Sequence, residues 1–131
     1  YPIVLALTSN KGAEDFQYIG EGSSTLYEHV IKTTQNYTHA ERVMYVVGAT
    51  KADRLQEIRV LAPKAFFLVP GVGAQGGDLK AVYDNGRNDK VGLLVNSSRG
   101  IIYASSGLDF AEAAANSAKE LQQQMKSLLV S

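Results

Sequence analysis

The sequence has no cysteine and no tryptophan, and its only histidines are His29 and His39. Without cysteine there is no disulfide framework, no thiolate nucleophile and no cysteine-ligated metal. Neither histidine has a carboxylate at ligand spacing, so both read as surface residues and no metal site is expected. An excess of one charge is missing too. Thirteen Lys+Arg balance thirteen Asp+Glu, and the pI is near 6.9. That balance argues against a strongly basic nucleic-acid binder or a binder of anionic membranes. No apolar run approaches the roughly 18–20 residues of a membrane-spanning helix. No signal-peptide pattern is visible and the chain opens on Tyr1, which leads to the expectation of a processed product or a piece of something longer. Low-complexity tracts and linker-like stretches are absent from the 131 residues, so one compact domain at most is expected.

What is present is an alternation. Ile3-Val4-Leu5-Ala6-Leu7, Val43-Met44-Tyr45-Val46-Val47, Ala65-Phe66-Phe67-Leu68-Val69 and Val91-Gly92-Leu93-Leu94-Val95 are short apolar runs, each closing on small or polar residues. Runs of this length and composition predict strands buried on both faces. Between them the spacing predicts helices. Ser24 to Tyr37 carries Leu26, Tyr27, Val30 and Ile31 on one stripe. Thr50 is placed to cap a helix from Lys51 that stops before Pro63. Asp78 is placed to cap one carrying Leu79, Val82 and Tyr83 and ending near Gly86. Asp109 to Leu129 puts Phe110, Ala113, Ala114, Ala118, Leu121 and Met125 on one side. Four βα units in a row predict an α/β fold with parallel strands and right-handed crossovers. Two architectures fit: a small doubly wound sheet, or half of a (β/α)8 barrel, which needs about 250 residues in all. In either one, chemistry sits at the carboxyl ends of the strands.

Those ends carry the least ordinary segments. Pro70 to Asp78 (PGVGAQGGD) holds four glycines between a strand and a helix. Free backbone N–H groups and a helix dipole there favour an anion, and phosphate is the natural guest; the plainer reading is a glycine-rich βα turn. The segment formally matches G-x-G-x-x-G, but no acid closes the next strand, which ends in Asn96-Ser97-Ser98, so the dinucleotide reading is set aside. Asn96-Ser97-Ser98-Arg99-Gly100 follows the neighbouring strand, and Arg99 offers a planar fork of donors suited to phosphate. Thr8-Ser9-Asn10-Lys11-Gly12 offers hydroxyls and an amide for a polar ring, or local side-chain-to-backbone bonds of an ordinary turn. No Ser-His-Asp arrangement or carboxylate pair stands out, and the sequons at Asn36 and Asn96 read as accidents.

LALTSNKG (Leu5 to Gly12), VVGAT (Val46 to Thr50), Ala62-Pro63, FLVPGVGAQGGD (Phe67 to Asp78) and NSSRGIIYA (Asn96 to Ala104) resemble, in order and spacing, the C-terminal half of the orotidine 5'-phosphate decarboxylase family, in its longer bacterial-type subfamily. The resemblance implies strands five to eight of a (β/α)8 TIM barrel. Residues 1–131 would then be a single half-barrel segment, incomplete without strands one to four from another segment or chain. It also implies conversion of orotidine monophosphate to uridine monophosphate (UMP) and CO2 in pyrimidine biosynthesis, with no metal or organic cofactor. By matching motifs, Gln75 would reach the 5'-phosphate and the pyrimidine. Arg99 would grip the phosphate, helped by backbone at Gly76, Gly77 and Ser98. Ser9 would hydrogen-bond the pyrimidine and Pro70 would line its pocket. The family's proton-donating motif, Asp-x-Lys-x-x-Asp, is absent, so no catalytic residue is expected in this chain, which alone would be inactive. Asp78-Leu79-Lys80 with Asp84 has its second acid one place too far along and reads as a cap plus solvated charge. The implied setting is a homodimer of complete barrels in the cytoplasm, with an N-terminal half as partner and neither nucleic acid nor membrane involved. The alternatives are a non-catalytic nucleotide- or phosphate-binding α/β module and a structural half-barrel that self-associates.

Overall fold

The computed structural model describes residues 1–21, 24–73 and 77–130. Its main sheet holds β1 (Ile3–Leu7), β4 (Met44–Val47), β5 (Phe67–Pro70) and β6 (Leu93–Asn96), side by side in that order. All three pairings are parallel. Chain order and spatial order therefore agree across the sheet. A doubly wound sheet reverses its strand order at a switch point, whereas a barrel adds each strand beside the last, so the arrangement decides for the barrel.

The faces of the sheet are unequal. The register places Val4, Tyr45, Phe67 and Leu93 in one cross-strand row and Leu5, Val46, Leu68 and Leu94 in the next. The first row belongs to the core, with Tyr45 and Phe67 fully buried. Packed with it are Tyr27 and Ile31 from α2 (Leu26–Thr34), Leu55 and Ile58 from α3 (Ala52–Leu61), and Leu79, Val82 and Tyr83 from α4 (Leu79–Gly86). In the second row Leu5 is 62% exposed and Leu94 51%. This corrects the expectation of strands buried on both faces. The runs are apolar throughout, but helices cover one side only.

Several other expectations shift. The second helix is shorter than Ser24 to Tyr37, because Ser24–Thr25 (β3) pairs with Gly20–Glu21 (β2) in a small antiparallel hairpin. Glu28, one turn into α2, accepts from the Thr25 N–H at 2.7 Å and the Thr25 hydroxyl at 3.0 Å. Those bonds hold its carboxyl below the ordinary carboxylate value. Thr50 caps nothing: Ala49–Lys51 forms a 3-10 turn, and α3 starts at Ala52 behind Lys51 without a side-chain capping bond. Asp78 does cap α4, its Oδ1 accepting from Lys80 N–H at 2.8 Å and Ala81 N–H at 3.3 Å, and Lys80 pairs with Asp84 along the exposed side. Short helices at Ala13–Phe16 (α1) and Ser98–Ile102 (α5) occur where no helix was expected. The last helix, α6 (Phe110–Val130), buries no residue completely. Leu121, Met125 and Leu128 lie against the core, while Phe110 is exposed. No helix among the described residues is long and apolar enough to cross a membrane.

The amino end of the sheet is closed by Arg59, near the end of α3. Its guanidinium donates to the carbonyls of Ala62 (3.1 Å), Ala65 (2.6 Å), Gly86 (2.8 Å) and Gly92 (3.0 Å). It also stacks on Phe67, 3.7 Å from the ring centroid. Burial pushes its pKa down to about 10, which leaves it charged at neutral pH.

Candidate functional site

Parallel strands deliver their carboxyl ends to one rim, and there the structure brings two of the singled-out segments together. Pro70, Gly71 and Val72, leaving β5, face Asn96, Ser97, Ser98 and Arg99, leaving β6, across a cleft of about 60 Å³. A complete small-molecule site is usually of about 300–1,000 Å³, so this cleft fits one small polar group. The Ser97 hydroxyl donates to the Val72 carbonyl at 3.0 Å, and the Gly71 N–H donates to the Asn96 carbonyl at 3.2 Å. The two loops are thus tied to each other, the Ser97 hydroxyl serving as one of the ties.

The glycine-rich loop owes its shape to backbone that side chains resist. Gly71 has φ 95°, in the left-handed region where a Cβ meets the following carbonyl. The Gly77 N–H donates back to the Gly71 carbonyl at 3.2 Å, and the Gly73 N–H to the Gly77 carbonyl at 3.1 Å. In this arrangement Gly77 closes the loop rather than offering its N–H outward. Gln75 and Gly76, both singled out from sequence, lie outside the described residues. At the start of α4 the Asp78 carboxylate accepts from the Lys80 and Ala81 N–H groups.

Arg99 sits in the first turn of α5 and is exposed. Among the described residues no hydrogen bond or ion pair holds its guanidinium. Ser98 precedes it, its hydroxyl donating to Asn96 Oδ1 at 3.3 Å; the backbone N–H groups of a first helical turn have no intrahelical acceptor. The cleft therefore presents a free fork of cationic donors beside unpaired amides, an arrangement suited to a multiply charged oxyanion.

Ser9 lies elsewhere on the rim, at the end of β1. Strands β1 and β6 are the two edges of the sheet, three strand spacings apart, or about 14 Å at ~4.8 Å each. The turn around Ser9 is internally bonded. Thr8 N–H donates to Gln17 Oε1 at 2.8 Å, Gln17 Nε2 donates to the Thr8 hydroxyl at 2.9 Å, and that hydroxyl donates to Asn10 Oδ1 at 2.5 Å. Thr8 and Asn10 thus follow the ordinary-turn reading, while the Ser9 hydroxyl is buried without a hydrogen-bond partner among the described residues. Sequence reasoning missed Gln17, whose only signal was a polar residue two places before Ile19. Pro70 opens the other side of the rim and is half-buried.

The sequence model of the Orotidine 5'-phosphate decarboxylase / HUMPS family matches residues 2–115. The orotidine 5'-phosphate decarboxylase of Flavobacterium johnsoniae is 51% identical over 129 residues, 98% of this chain and 47% of that protein. The enzyme of the same name from Christiangramia forsetii is 55% identical over 129 residues, again 47% of its length. Among solved structures, the OMP decarboxylase of Leishmania donovani matches with a TM-score of 0.80 at 37% identity, over 98% of this chain and 48% of that one. The chain spans about half the length of the curated relatives it matches.

Proposed function

The chain belongs to the orotidine 5'-phosphate decarboxylase / HUMPS family, and we propose that it is the substrate- and phosphate-binding half of an orotidine 5'-phosphate decarboxylase. The observation that carries this reading is the cleft in which the free Arg99 guanidinium and the α5 first turn face the glycine-rich loop. Arg99 binds the 5'-phosphate with the Ser98 and Gly76 backbone, Gly77 holds the loop closed around it, and Gln75 bridges phosphate and pyrimidine. Ser9 and Pro70 meet the ring. The distance along the rim from Ser9 to Arg99 suits an extended base–ribose–phosphate rather than a single ion. Binding energy from the remote phosphate then orders the site around the reacting carbon.

The proton donor lies outside this chain. Loss of CO2 breaks the bond at C6 and leaves its electron pair on the ring, and a lysine of the Asp-x-Lys-x-x-Asp motif in the other half supplies the proton. That half provides strands one to four, covers the open row of Leu5, Val46, Leu68 and Leu94, and pairs with the free edges of β1 and β6, which are otherwise an aggregation hazard. Complete barrels form a homodimer in the cytoplasm.

Calorimetric titration of the chain with UMP tests the reading. UMP is expected to bind, and Gln75→Ala to weaken it by about tenfold, the equivalent of one lost hydrogen bond. Decarboxylation of orotidine monophosphate is expected only when a polypeptide carrying the missing motif is added. Turnover by this chain alone would refute the placement of the proton donor, and an unchanged affinity in Gln75→Ala would remove that residue from the site.

A further inference from the structure

We infer that Gly48 is a positioning residue for the Ser9 hydroxyl, and that through Ser9 it sets recognition of the base rather than of the phosphate. The inference rests on the functional reading above. Gly48 follows the last residue of β4, and its N–H donates to the Leu7 carbonyl at 2.8 Å, which fixes the end of β4 against the end of β1. Its backbone is ordinary extended chain, φ −65° and ψ 137°, open to any residue, so conformation does not demand glycine here. Space does. A Cβ at position 48 would lie 2.0 Å from Ser9 Oγ, 2.9 Å from Ser9 N and 3.1 Å from Ser9 Cβ. The missing side chain of Gly48 is the niche that holds Ser9.

The contents of that niche are unusual. The Thr8 N–H and hydroxyl and the Asn10 Oδ1 are bonded within the turn and through Gln17. The Ser9 hydroxyl between them is buried and has no hydrogen-bond partner among the described residues, a state that costs free energy until an acceptor or donor arrives. Ser9 as a residue is half-buried, so a rotation about χ1 between staggered wells brings the hydroxyl from the niche to the rim. Hydrogen bonds hold the turn on both sides of it, and the hydroxyl is left for a carbonyl or imide edge of a pyrimidine. Filling the niche would displace the Ser9 backbone together with its hydroxyl; that displacement falls on the β1 side of β4, whereas the β5–β6 cleft opens along the same rim beyond its β5 side.

The test compares two probes that share a phosphate and differ in the base, UMP and ribose 5-phosphate. They are titrated into the unaltered chain, Gly48→Ala, Ser9→Ala and the double variant. Each single change is expected to raise the Kd for UMP about tenfold and to leave that for ribose 5-phosphate within about twofold. The double variant is expected to be no worse than either single one, because both changes remove the same contact. Equal weakening of both probes by Gly48→Ala, or additive losses in the double variant, would show a general structural role and overturn the inference. Should Gly48→Ala not fold, the exchange Ser9→Gly/Gly48→Ala returns the volume. It is expected to fold and bind ribose 5-phosphate without preferring UMP, and a retained preference overturns the inference. If the unaltered chain binds neither probe, the functional reading falls and this inference with it; if it binds both and Gly48→Ala changes nothing, this inference alone falls.

Discussion

Arg59 and Arg99 stand at opposite ends of one four-stranded sheet, and their surroundings could hardly differ more. At the amino end, the Arg59 guanidinium is half-buried, directed at the carbonyls of Ala62, Ala65, Gly86 and Gly92, and stacked on the buried Phe67 ring. It joins the end of α3, the end of α4 and the starts of β5 and β6, so its donors are consumed by the fold. At the carboxyl end, Arg99 is exposed in the first turn of α5 beside a loop whose conformation needs glycine. Its donors are free for a guest. One end holds the half-barrel together and the other leaves its donors unused by the fold, a division expected of (β/α)8 architecture.

The contrast is sharpest where stability is concerned. Arg59→Ala removes a donor from four carbonyls, of which those of Ala62 and Gly92 keep a backbone N–H, and at about 1–3 kcal/mol for each buried unpaired acceptor the expected loss is on the order of 3–5 kcal/mol in urea unfolding. Arg59→Lys should restore little of it, because a point charge cannot reproduce the planar fork. An unchanged unfolding midpoint in Arg59→Ala would break the comparison at its amino end.

Arg99→Ala is the mirror experiment. A charge-assisted bond to phosphate contributes about 1.5–3 kcal/mol, so UMP affinity should fall by roughly 10- to 150-fold. The unfolding midpoint should stay within about 0.5 kcal/mol of the unaltered chain. A variant that loses stability but keeps its affinity would reverse the assignment of the two ends.

The smallest effect concerns acid. Glu28 has its carboxyl lowered by the Thr25 N–H it accepts from. A folded pKa below the unfolded one means that its contribution is fully present above the usual value of 4.5 and is lost as pH falls through the folded pKa. Arg59 stays charged across the same range, with a pKa near 10. Glu28→Gln should therefore cost about 1 kcal/mol or less at pH 7 and flatten the decline in stability below pH 4.5. Stability curves of the two proteins that stay parallel down to pH 3 would show that the bond contributes nothing.

Much of this was legible because it is local. The four strand runs, the Asp78 cap and the glycine-rich segment depend on residues within a turn or two of one another. The hairpin at Gly20–Thr25 was not, since two-residue strands have no periodicity to read. Thr50 had the right chemistry for a cap, but a 3-10 turn intervenes and α3 begins two residues later. Of the candidate site, Ser98, Arg99 and Pro70 lie on the rim of one cleft. Gly77 turned inward, its N–H donating to the Gly71 carbonyl, a closure that the glycine string alone does not announce. Arg99 was legible from its place just after a strand, but the role of Arg59 was not, because its acceptors lie up to 33 residues away in sequence.

By itself, then, the sequence determined the alternation of strand and helix, the placement of glycine and arginine after the third and fourth strands, and the absence of the proton-donating motif. These follow from apolar spacing, turn chemistry and the order of residues along the chain. Only the tertiary structure decided that the strands run in order across the sheet and that helices cover a single face. Every residue of the runs is apolar, so a face meeting helices and a face left open are written in the same letters, and the difference exists only once the strands lie side by side.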